Sequence, residues 1–195
     1  MNYYFIFNKP YRVLCQFSPV EGKLTLGDFL SLPKDVYPVG RLDYDSEGLL
    51  LLTNDGLIHH KLIDPRFEHS RTYLVQVEGI PDELSLKKLA DGVVIENKKT
   101  KRANVRLLEE EPVLWERNPP IRFRKSIPTS WLEIKLFEGR NRQIRKMTAA
   151  IGFPTLRLVR VKIEFLEVYG LKPGEFRELS DNEIYRLKMV CGLKS

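Results

Sequence analysis

The sequence predicts an α+β fold built on a mostly antiparallel sheet. Three observations carry this. Segments of strand character outnumber segments of helical character. The helical segments do not alternate regularly with strands, as a doubly wound parallel fold requires. A chain of 195 residues, 43% hydrophobic and 30% charged, suits one globular domain, residues 1–195, with its own core.

Each element has its own signal. Residues 3–7, YYFIF, read as a strand that Pro10 stops. Residues 25–30, TLGDFL, read as one short helical stretch. The turn-rich YPVGRLDYDSEG leads into the apolar run Leu49–Leu52, which ends at the Asn54-Asp55-Gly56 turn. Leu57–Ile63 fits a short helix ended by Asp64-Pro65. In the strand RTYLVQVE, 71–78, alternation puts Tyr73, Val75 and Val77 on one side and Thr72, Leu74, Gln76 and Glu78 on the other. Pro81–Ala90 predicts a helix, with Pro81 near its start and Gly92 just past its end.

Further strands are expected near 92–96, 103–108 and 130–137. Before the last of these lies 112–130, holding Pro112, Pro119, Pro120 and Pro128, which predicts a long surface loop. Residues 141–151, NRQIRKMTAAI, predict a helix closed by Gly152 and Pro154. Ile144, Met147 and Ile151 make its apolar stripe, and Arg142, Arg145 and Lys146 share a neighbouring face. Residues 155–166 alternate as a strand. The last helix starts at a capping box, Ser180 with Glu183, flanked by Leu179 and Ile184 at the staple positions.

Composition narrows the function. Residues 117–162 hold twelve Lys and Arg against two acids, Glu133 and Glu138, while the formal net charge of the whole chain is +6. Such asymmetry suits either a polyanion partner or a solvated basic surface. Cys15 and Cys191 are the only cysteines, too few for a disulfide framework or a thiolate zinc site. No apolar run approaches the ~20 residues that span a bilayer. The N-terminus, MNYYFIFNKP, lacks a signal-peptide pattern, so a reducing cytoplasm is expected. His59, His60 and His69 have no acid or Cys pattern that completes a metal site, and none is expected.

Two constellations could carry chemistry. GRLDYDSEGLLLLTNDG, residues 40–56, sets Asp43, Asp45 and Glu47 in a turn that caps an apolar strand. It reads as a solvated turn, as a calcium loop, or as a catalytic carboxylate shown at a strand mouth. Asn54 stands where a calcium loop needs its bidentate Glu, and spacing alone favours the turn. EGRNRQIRKM, residues 138–147, is a Gly turn opening an Arg-rich helix. It either faces phosphate or holds a carboxylate ionised. Tyr73 alone reads as a core aromatic with a satisfied hydroxyl. A glycosidase using Asp43 and Glu47 fits the paired acids, but sugars do not call for so basic a segment.

GRLD followed by DSEGLLLLTNDG resembles the signature of pseudouridine synthases of the RsuA/RluA superfamily. RTYLVQVEG and EGRNRQIRKMTAAIGFPTLRL are similar to its second and third motifs. The resemblance runs from about residue 3 to 180. RNPPIRFRKSIPTSW, 117–131, is closest to the RluE-type enzymes that modify 23S ribosomal RNA. The resemblance implies the family's catalytic fold: a large mixed sheet, flanking helices, a central active-site cleft and two subdomains sharing the sheet. It begins at residue 3, so no N-terminal S4-like RNA-binding domain is expected ahead of it.

The resemblance also implies roles. Asp43 is the essential carboxylate and Arg145 its ion-pair partner. Tyr73 packs on the target base and takes part in removing its C5 proton. Arg41 holds the uridine out of the helix and Ile144 walls the pocket, with Arg140 and Arg142 binding substrate. The reaction has no redox change, so neither cofactor nor metal is implied. The implied partner is 23S ribosomal RNA, free or in an assembling large subunit, with no DNA or membrane, and the enzyme a monomer. The rival from another class is a non-catalytic RNA-binding or ribosome-assembly protein. Asp43 separates the two, because a pure binder gains nothing from a carboxylate in a phosphate groove.

Overall fold

The computed structural model describes residues 1–121 and 127–193. The elements β1 (Tyr4–Lys9), β2 (Val13–Leu14), β3 (Leu24–Thr25) and β4 (Tyr37–Pro38) precede β5 (Glu47–Thr53) and α1 (Gly56–Ile63). Next come β6 (Arg71–Glu78), α2 (Glu83–Asp91), β7 (Val94–Ile95), β8 (Lys98–Lys99) and β9 (Asn104–Leu107). The described chain ends with β10 (Thr129–Leu136), α3 (Gln143–Ala150), β11 (Thr155–Ile163), β12 (Leu166–Glu167), β13 (Phe176–Glu178) and α4 (Asp181–Val190). No helix among the described residues is long and apolar enough to cross a membrane.

One nine-stranded sheet dominates. Its path runs β13-β1-β5-β11-β6-β10-β9, with β12 added on β11 and β4 on β5. Its pairings are antiparallel except that of β5 with β11, so the α+β expectation holds. Gly48 makes that parallel junction possible. Its φ is +103°, and a Cβ there would run into the carbonyl oxygen of Arg160. Only glycine lets the two backbones come so close.

The core lies on both faces of the sheet. Leu49 and Leu51 join Leu74, Val159 and Val161 on one face. Leu50 and Leu52 point the other way, into a cluster with Phe5, Phe7 and Leu26. This is why Leu49–Leu52 is a continuous apolar run and not an alternating one. On that second face Val75, Val77, Leu132, Ile134, Leu158, Ile144 and Met147 form a separate cluster. The sides read for β6 are therefore observed, with Leu74 on one face and Val75 and Val77 on the other. The two clusters of the second face leave a gap between them, along the β5–β11 junction.

Several elements differ from the sequence reading. Residues 25–30 form only a 3-10 turn, Leu26–Asp28, in which the Asp28 carboxylate accepts from the Thr25 N–H and hydroxyl as the N-terminal cap. The 92–96 strand shrinks to β7, paired only with β8 in a two-residue hairpin. The α2 helix is capped by Asp82, so Pro81 stands before the cap. The 155–166 strand breaks at Glu164, where φ is +51°, and β12 folds back on β11. Ser180 and Glu183 make the expected capping box. The edge strand β13 had no signal in the sequence, since its three residues are all exposed.

The proline-rich segment is not only a surface loop. Trp115 and Leu114 pack onto the core, and the Trp115 indole donates to Glu47 Oε1 at 2.8 Å. Arg157 grips the same carboxylate with two bonds of 2.9 Å and donates to the Trp115 carbonyl at 2.8 Å. The Glu47 and Arg157 residues are 1% and 8% exposed. A buried, fully bonded ion pair of this kind fixes one arrangement of the loop, since removing either partner strands the other charge.

Candidate active site

The gap on the second face is a cleft of about 340 Å³. Two segments frame it: the loop 40–46 leading into β5, and the turn 138–142 leading into α3. Asp43, Arg41, Tyr73, Ile144, Arg140 and Arg142 all line it. Residues as far apart in the chain as Arg41 and Ile144 thus meet at one place, as the motif reading expects.

The 40–46 loop is held from both sides. Ser46 N–H donates to the Asp43 carbonyl at 3.0 Å, making the turn, and Arg12 N–H donates to the Tyr44 carbonyl at 2.8 Å. The Leu42 N–H donates to Cys15 Sγ at 3.3 Å. From α3, Arg142 grips Asp45 with two bonds of 2.8 Å. Arg145 donates to the Asp45 carbonyl at 2.6 Å and lies 3.4 Å from its carboxylate. Arg142 takes up its place because it is the N-cap of α3 in the left-handed region, φ +50°, which turns its side chain off the helix toward the loop. The helix consequently starts two residues later than the sequence pattern suggested.

This geometry changes one assignment. The expected ion pair of Arg145 with Asp43 is not formed. Arg145 is spent on Asp45 and its carbonyl, because the 43–46 turn puts Asp45, not Asp43, against α3. Arg142 is the nearest cation to Asp43 among the described residues, at 3.9 Å. Burial pushes the Arg145 guanidinium below its usual range, while the charges of Asp45 and Asp43 act the other way. Asp43 itself is left with an accessible carboxylate, its side chain 33% exposed.

The other expected residues fall into two groups. Arg41 is exposed at the rim, and Ile144 is buried in the wall. The Arg140 guanidinium is committed to the carbonyls of Ile95 and Lys98, at 3.0 and 3.2 Å, and so ties the β7–β8 hairpin to the cleft. Tyr73 is half-buried among the Val75 cluster but also lines the cleft. Its hydroxyl has no hydrogen-bond partner among the described residues, which a satisfied core tyrosine would have. Glu47 is sealed by Arg157 and Trp115, which removes the second acid a glycosidase would use. Arg122, Arg124 and Lys125 of the basic segment lie outside the described residues.

Two site residues were missed in the sequence. Arg71 and Arg160 both line the cleft. Only Arg71 had a signal, lying two residues before Tyr73 on the same side of the strand; Arg160 is set directly opposite Tyr73 by the β6–β11 pairing. The pairing itself was not legible.

The Asp45 grip has a pH consequence. The hydrogen bonds from Arg142 hold the Asp45 carboxyl below its ordinary range, against the effect of burial and with the help of Arg145's charge. A carboxyl lowered on folding adds stability above its unfolded pKa of about 3.9, and loses it as pH falls through the lowered value. Wild type is therefore expected to be more stable than Asp45→Asn at neutral pH, and the two to converge in acid, below about pH 4. Asp45→Asn is also expected to keep measurable turnover, since it removes a brace of the loop and leaves the Asp43 carboxylate in the cleft. Denaturant unfolding at pH 7 and pH 3 checks this. An equal gap at both pH values would assign the effect to packing and not to charge.

Comparison with known proteins places this geometry. The family model described as RNA pseudouridylate synthase matches residues 3–150. The chain is 54% identical over 175 residues to a ribosomal large subunit pseudouridine synthase E from Vibrio vulnificus, covering 90% of this chain and 74% of that protein. It is 55% identical to a protein of the same name from Xanthomonas campestris, covering 88% of this chain and 92% of that one. A crystal structure of a pseudouridylate synthase superposes with a TM-score of 0.80 at 29% identity, over 96% of this chain and 74% of the other. Family, relatives and fold agree, and the chain belongs to the RNA pseudouridylate synthases.

Proposed function

We propose that this enzyme isomerises one uridine of large-subunit (23S) ribosomal RNA to pseudouridine, with Asp43 as the nucleophile on a flipped-out nucleotide. The observation that supports it is Asp43 itself: an accessible carboxylate beside Tyr73, in a cleft whose loop two arginines hold. The names of the relatives at 54% and 55% identity support the choice of RNA.

The residues divide the work. A stacked uridine is out of reach, so it must leave the helix, at a cost of a few kcal/mol. Arg41 at the rim and the Ile144 wall offset that cost by holding the extruded nucleotide. The Tyr73 ring packs on the base. The Asp43 carboxylate takes the sugar as the N1–C1′ bond breaks, the uracil turns, and C5 displaces the carboxylate from C1′. Tyr73 then helps move the C5 proton, and the product is an isomer of the substrate. Arg142 and Arg145 position Asp43 by fixing Asp45. As ribosomal RNA is the substrate, the cytoplasm is the place of action. A non-catalytic RNA binder has no use for this carboxylate.

Mapping pseudouridine in large-subunit ribosomal RNA, with and without the protein, tests the reading. One new site is expected, and none would overturn it. Phosphate contacts by the basic segment also predict steep salt dependence. If on the order of five phosphates are neutralised, the log–log slope is about −3.5 to −4.5. Removing the charges of Arg122, Arg124 and Lys125 together is expected to flatten the slope and leave the bound substrate's chemistry intact. An unaltered slope would show that RNA docks elsewhere.

A further inference from the structure

The two arginines absent from the sequence reading are unusual in their surroundings. Arg160 is 2% exposed yet lines the cleft. Its Nε donates to the Leu49 carbonyl at 2.7 Å, and its buried Nη2 has no hydrogen-bond partner. Arg71 donates to the carbonyls of Leu62 at 2.6 Å and His69 at 3.5 Å. Neither forms an ion pair with a described carboxylate. Burial pushes the Arg71 guanidinium below its usual range; Tyr73 and Glu164 oppose this, while the like charge of Arg160 adds to it. Two cations beside one another, one buried and one half-buried, without a carboxylate between them, are costly to keep. They gain if an anion arrives there during the reaction.

Depth decides which anion. Arg41 and Arg142 are exposed or half-exposed at the cleft mouth, where a backbone phosphate stays. Arg160 stands across the strand pair from Tyr73, far inside. Only the base reaches that depth, and it stacks on Tyr73. When N1–C1′ breaks, the bonding pair stays on the ring, and its charge spreads over N1 and the two carbonyl oxygens. The charge is discharged when C5 bonds to C1′ and the C5 proton moves to N1.

We infer that Arg160, reinforced by Arg71, donates its free N–H to a carbonyl oxygen of the flipped uracil and stabilises the ring as the anionic leaving group. This rests on the pseudouridine-forming reading and adds a catalytic residue to it.

The test sets uridine against 5-fluorouridine at the target position of one RNA, in single turnover. Fluorine makes the ring a better anionic leaving group, so it needs less help. Arg160→Gln is expected to slow loss of the target N-glycoside about a hundredfold with uridine and about tenfold or less with 5-fluorouridine, with RNA affinity unchanged. A purely structural role would slow both substrates alike, and that result overturns the inference. So does weaker RNA binding with an unchanged single-turnover rate, which would mark a phosphate site. If Arg160→Gln does not fold, Arg71→Met decides: it must show the same bias toward 5-fluorouridine, and its absence overturns the inference. Wild-type protein that forms no pseudouridine on the uridine RNA would instead sink the underlying reading.

Discussion

Asp43→Asn is expected to leave a folded protein that binds RNA and makes no pseudouridine. Turnover is expected to fall by at least about 10⁴-fold, the scale seen when a covalent nucleophile is removed. The fold survives because Asp43 holds nothing together. Its carboxylate accepts no hydrogen bond among the described residues, and its nearest cation, Arg142, is already satisfied by Asp45. The turn is made by its backbone carbonyl, which Asn keeps. RNA binding is expected to hold or rise slightly, since one negative charge leaves a basic groove. Release of the C5 hydrogen from labelled RNA reads turnover directly, and a thermal melt checks the fold. Normal turnover would remove Asp43 from the chemistry.

Tyr73→Phe is expected to keep RNA binding and lose most of the chemistry, by about 10²- to 10⁴-fold, the range for a positioned proton-transfer group. The ring stays packed beside Val75 and Val77, so stability changes little. The hydroxyl is the only part lost, and it has no hydrogen-bond partner to strand among the described residues. Single-turnover rates at saturating protein separate this from a binding defect. An unchanged rate would leave Tyr73 as a stacking surface only.

How far the sequence reaches differs from element to element. The capping box at Ser180, the helix stripe of Ile144 and Met147, and the two sides of β6 were legible, because each depends on spacing within one element. Leu49–Leu52 was legible as buried, though not that its residues feed two separate clusters. The short β13 and β8 were not legible, since their residues are exposed and take their form from a neighbour. Trp115 could not be read as an anchor, because its partners Glu47 and Arg157 lie 68 and 42 residues away.

At the site the same division holds. The sequence by itself determined the family, through its ordered motifs, and named Arg41, Asp43, Tyr73, Arg140, Arg142 and Ile144 among the residues that line the cleft. Only the tertiary structure decided who holds whom. The turn at 43–46 directs Asp45 to Arg142 and Arg145 and leaves Asp43 open. The close approach at Gly48 brings β11 beside β5, and the β6 register then sets Arg160 opposite Tyr73. Such contacts depend on backbone direction and strand register, which arise when distant segments pack and are written in no single stretch of the chain.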